Sequence, residues 1–61
     1  MKRANIFYCD EELCVRLEKD GKTFGYLRMF DHNYEYAQDA CINWEDGILT
    51  EDNPHIQKTL S

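Results

Sequence analysis

Asp31, Glu35 and Asp39 stand four residues apart. On a helix that spacing stacks carboxylates in a column about 6 Å apart, at 1.5 Å rise per residue. Glu45 and Asp46 carry the acidity toward the C-terminal end, where the helix dipole disfavours it. Each like-charged neighbour costs roughly 0.2–0.5 kcal/mol, and soluble helices usually offset it with Lys or Arg at i,i+4. The stretch "DHNYEYAQDACINWEDG" offers neither. A solvated face accounts for such a run, and so does a surface built to meet a basic protein, since regularly spaced carboxylates can occupy Lys and Arg sites meant for phosphates. Tyr36 lies off the apolar stripe beside the column, where it serves either as a binding anchor or as packing against the sheet edge.

Cys9, Cys14 and Cys41 with His32 or His55 supply the atoms for a three-sulfur, one-nitrogen zinc set. The spacing argues against it: there is no CxxC knuckle, and the ligands come from scattered elements. Reduced thiols, of the kind common in cores, are the simpler expectation. Neither metal nor cofactor is expected. For catalysis the inventory is thin, with isolated histidines and no phosphate loop, nucleophile elbow or HExxH pattern. Glu11 and Glu12 point to opposite sides when extended and do not form an acid and base pair. Phe24, Tyr26 and Phe30 with Arg16 and Arg28 could make a base-stacking platform, but the acidic balance opposes phosphate binding, so direct nucleic-acid contact is not expected.

The charge is unevenly spread. The net is −5 over 61 residues, yet six Lys and Arg face five acids up to Arg28, whereas Met29 to Gln57 holds seven acids and no Lys or Arg. At 43% hydrophobic content with eight aromatics, the chain has enough apolar material for one small core and little room for a deep cleft. No apolar run fits a signal peptide or a membrane span, which predicts a soluble, cytoplasmic protein.

These residues must be positioned by strands and one helix. "ANIFYC" reads as a first strand, and "LCVRLE" alternates, with Leu13, Val15 and Leu17 on one face. "KDGK" then predicts a hairpin into "TFGYLRMF". A two-residue turn at Asp20 and Gly21 pairs Leu17 with Phe24, placing the aromatics in the core. A three-residue turn with a bulge slips the register, turning Leu27 and Met29 inward and leaving Phe24, Tyr26, Arg28 and Phe30 outside. Gly25 permits close packing in the second register, which favours it. Asp31 or Asn33 caps the helix, Ala37, Ala40, Cys41 and Trp44 form its apolar stripe with Tyr34 extending it, and Gly47 ends it. Asn53 and Pro54 suggest a short C-terminal helix. The expected architecture is a single α+β domain over residues 1–61, with a three-stranded antiparallel meander packed by one helix and a short final helix.

In its economy and localised acidity the whole chain resembles, in type, the small accessory and inhibitor proteins of phages and prophages, including anti-CRISPR and anti-restriction proteins. That resemblance implies stoichiometric binding. The expected partner is a basic, nucleic-acid-handling host protein engaged through Asp31, Glu35, Tyr36, Asp39, Glu45 and Asp46. Two alternatives stand beside it: a homodimeric domain pairing through a sheet edge or the outer aromatic face, and a zinc-stabilised nucleic-acid binder.

Overall fold

Two tight turns build the sheet. Asp10 and Glu11 have φ of 53° and 66°, and Asp20 and Gly21 have 54° and 81°. Positive φ at both central positions is the mark of a type I′ turn, whose twist matches that of the strands it joins. In the computed structural model, which describes residues 1–60, these turns connect β1 (Lys2–Cys9), β2 (Glu12–Lys19) and β3 (Lys22–Arg28) into an antiparallel sheet ordered β1-β2-β3, followed by the helix α1 (Tyr34–Glu45).

The second hairpin combines features of both expected registers. Its turn has two residues, since Lys19 faces Lys22 and Glu18 faces Thr23, but Leu17 faces Gly25 and Val15 faces Leu27. Phe24 is the unmatched residue of a bulge, and the slip happens there rather than in the turn. Leu27 and Met29 are therefore buried with Leu13, Val15 and Leu17, as the slipped register requires. Phe24 is a correction: its ring lies 5.4 Å from that of Trp44, on the helix side. A bulge places successive side chains on one face, so Phe24 joins the core margin although its strand alternates.

The helix begins at Tyr34 because Asn33, with extended backbone, accepts a 2.9 Å bond from the Tyr36 N–H through its side chain. It ends in a Schellman motif. Gly47, at φ 82°, donates to the Trp44 carbonyl, and Ile48 donates to that of Asn43. Ala37 and Trp44 are fully buried, with Ala40 and Cys41 packed beside them, and α1 lies over β1 and β2. The Trp44 indole N–H reaches the Glu18 carbonyl at 3.0 Å, which satisfies the one polar atom of the largest core residue. Tyr34 does not extend the buried stripe; it is 51% exposed.

No C-terminal helix is present among the described residues. Asn53 instead caps a turn at Pro54 and His55, and Gln57 forms an antiparallel bridge to Tyr26, with bonds of 2.7 and 2.8 Å in the two directions. A single helical turn fixes many dihedrals for one hydrogen bond. The β3 edge offers two bonds at once, and Ile56 packs over Gly25, so the strand-like course is favoured. Leu49 covers the core nearby. The sheet's far face carries a smaller cluster, where Cys14 is buried between its cross-strand neighbours Phe7 and Arg28, and Phe7 meets Tyr26 edge to face at 6.2 Å.

Candidate functional site

The helix positions only part of the carboxylate column. Glu35 and Asp39 sit one turn apart on α1, whereas Asp31 precedes the N-cap, in the turn where the His32 N–H donates to the Met29 carbonyl. The column is therefore a helical pair plus a carboxylate just beyond the cap. The cause is the cap itself: Asn33, not Asp31, presents its side chain to the first helical N–H groups. Asp46 is the C-cap residue. Glu45 turns back to the sheet, accepting a long 3.3 Å bond from the Ala4 N–H.

Ion pairing separates these groups from several other acids. Glu51 pairs with Lys19 at 2.7 Å and with Lys2 at 3.8 Å, Asp20 holds the N-terminal ammonium, and Glu18 meets Arg16 at 3.8 Å. Hydrogen bonding to Lys19 holds the Glu51 carboxyl below its ordinary value, and the N-terminal ammonium does the same for Asp20. Asp31, Glu35, Asp39, Glu45 and Asp46 are all exposed and have no ion pair among the described residues. Glu51 belongs to the same Lys-free stretch of sequence, but the fold neutralises it with cations from β1 and β2. Asp52, its neighbour, accepts a hydrogen bond from the Thr50 hydroxyl. The five carboxylates on and around α1 stay uncompensated.

Tyr36 is half exposed, and its ring stacks on that of His32 at 3.7 Å and 9°. It does not stand alone. The two rings form one wall of a groove of about 430 Å³ between α1 and the C-terminal segment, which Asp39, Asn43, Met29 and His55 also line. His32 falls outside the residues singled out for this surface from sequence, though its i,i+4 spacing from Tyr36 is a signal for such a contact.

The candidate zinc set is not assembled. Cys9 and Cys14 lie on the sheet face away from the helix, and Cys41 lies on the helix beneath which the sheet packs. All three thiols are free, and among the described residues no group of three His, Cys, Asp or Glu could hold a metal. Burial raises the Cys14 thiol, helped by the neighbouring Cys9, and burial then Glu45 raises that of Cys41. Both are poor nucleophiles at neutral pH. The stacking platform loses Phe24 alone, since Tyr26 faces Arg16 across the strands on the side of Arg28. Phe24 faces the helix, Tyr26 meets Phe7 on the opposite side, and the Arg28 guanidinium binds the Leu60 carbonyl and rests 5.3 Å from the Phe30 ring.

No protein-family model, curated protein or solved structure matches the chain. Among the described residues no helix is long and apolar enough to cross a membrane.

Proposed function

We propose that the chain is a non-catalytic binding module that acts stoichiometrically on a basic partner, blocking or modulating a cytoplasmic host protein whose Lys and Arg ordinarily meet phosphates. The observation that carries this is the contrast in pairing. The fold brings Lys2 and Lys19 to Glu51 and Arg16 to Glu18, and leaves Asp31, Glu35, Asp39, Glu45 and Asp46 exposed with no cation partner among the described residues. Uncompensated carboxylates around a half-exposed Tyr36 combine long-range steering with an aromatic anchor. The resemblance in type to small phage inhibitors agrees with this reading.

The test compares the wild-type chain with a variant carrying Asp31→Asn, Glu35→Gln, Asp39→Asn and Asp46→Asn, each immobilised and exposed to host extract. Proteins retained by the wild type should elute with salt, bind oligonucleotide competitively, and bind the variant at least about tenfold more weakly, as loss of several steering charges implies. Equal retention of the same basic protein by both forms refutes the proposal.

A further inference from the structure

The two edges of the sheet are treated differently. On β3 the outward N–H and C=O of Tyr26 are taken by Gln57. On β1 the bonding to β2 falls on alternate residues, in phase with the Asp20 N–H to Met1 carbonyl bond beyond the strand's end. Lys2, Ala4, Ile6 and Tyr8 therefore direct their backbone groups away from the sheet. Ala4 has only the 3.3 Å bond from its N–H to the movable Glu45 side chain. Eight residues of strand thus present an open edge, which ordinarily is shortened, bulged or covered.

Apart from Glu45 at Ala4, the surface on the helix side of this edge carries little charge. A shallow groove of about 440 Å³ runs between β1 and α1, lined by Ala4, Ile6, Tyr34, Gln38 and Ile42, with Asp39 the only charged residue on it. Tyr8, Ile42 and Tyr34 are 67%, 52% and 51% exposed. Apolar and aromatic residues with few charges distinguish the centre of a contact from ordinary surface.

The strand sequence also names its partner. Laid antiparallel on a second copy about a two-fold axis at Asn5, Lys2 falls opposite Tyr8, Arg3 opposite Phe7 and Ala4 opposite Ile6. Each cation of β1 then meets an aromatic ring of the other copy, and no like charges face each other. A parallel, in-register pairing would set Lys2 on Lys2 and Arg3 on Arg3. We infer that β1 is a self-complementary edge through which two copies join their sheets into one six-stranded antiparallel sheet, with Tyr34 and Ile42 of the two helices covering the seam. Asp39 borders the groove and Glu45 must release the Ala4 N–H, but Asp31, Glu35 and Asp46 of the acidic surface lie outside the groove.

Sedimentation equilibrium of the intact chain over a range of concentrations tests this, together with three variants. The wild type should be a dimer that dissociates on dilution, and the Ile6 and Tyr8 amides should exchange more slowly as concentration rises. Ile42→Glu, at an exposed helix position, and Ala4→Pro, which removes an outward-facing donor that an edge strand can spare, should each weaken the dimer by at least about tenfold. Glu35→Gln should leave it unchanged, which separates this inference from the acidic-surface proposal. If Ala4→Pro does not fold, Ile42→Glu decides alone. A chain that stays monomeric at its highest soluble concentration overturns the inference, as does a dimer that Ile42→Glu leaves intact.

Discussion

Replacing Gly25 with Ala should release the C-terminal segment from the sheet. A Cβ at this position would lie 2.6 Å from Ile56 Cγ2 and 2.8 Å from the Gln57 carbonyl oxygen. The first contact is with a side chain that can rotate. The second is with backbone that is fixed by the bridge to Tyr26, so the bridge must open. Opening forfeits two backbone hydrogen bonds, each worth about 1 kcal/mol net, and about 1 kcal/mol from the partly buried Ile56. Alanine restores roughly 0.5–1 kcal/mol over glycine in a strand. The expected loss is about 2 kcal/mol, or on the order of 10 °C in Tm for a domain of this size. Because the strain can be relieved by undocking the tail alone, native-state hydrogen exchange is the sharper assay. The Tyr26 and Gln57 amides should lose about thirtyfold protection, the equivalent of that free energy, while those pairing β1 with β2 lose less. Adding Ile56→Ala should not rescue the variant, since the clash with the Gln57 oxygen remains. Full rescue, or unchanged protection of both amides in Gly25→Ala, would refute the reasoning.

Two further outcomes follow from the turns and the ion pairs. Glu11 holds φ 66°, a left-handed conformation that costs a non-glycine residue about 1–2 kcal/mol. Glu11→Gly gives back about 0.5–1 kcal/mol of that as chain flexibility, so urea unfolding should show a net gain of about 0.5–1 kcal/mol. In acid, Glu51 and Asp20 both have folded-state values below their ordinary ones, so their contribution is fully present above the unfolded value and is lost as pH falls through the folded one. Stability should therefore decline below about pH 4, and Glu51→Gln should flatten that limb of a urea-midpoint profile. Both pairs are exposed, so the effect is small and shrinks with salt.

Period and punctuation carry most of the fold. The alternation of Leu13, Val15 and Leu17, the "KDGK" turn and the Ala37 to Trp44 stripe each correspond to an element in the structure, because each depends on residues close in sequence. The bulge at Phe24 is not legible, since both registers are compatible with the local pattern and only the meeting of Phe24 with Trp44, twenty residues on, favours absorbing the slip inside the strand. The final segment escapes a local reading for the same reason. Asn53 and Pro54 do mark a turn, but the free β3 edge, a tertiary feature, competes with the helix. At the candidate surface, composition locates the acids but not their state. Nothing local shows that Glu51 is neutralised by Lys19 and Lys2, or that Asn33 displaces Asp31 from the helix.

The Tyr26 to Gln57 bridge has a consequence for how far assembly can go. A sheet open at both edges has no built-in stopping point, because each added copy presents a fresh edge and growth proceeds toward fibres. Here the tail takes the outward N–H and C=O of Tyr26 in the middle of β3, so a two-fold contact at β1 would leave a tail-bridged strand at each outer end. If β1 is the connector inferred above, the tail is its terminator. Loosening the tail, as Gly25→Ala does, would turn a closed pair into a unit able to polymerise.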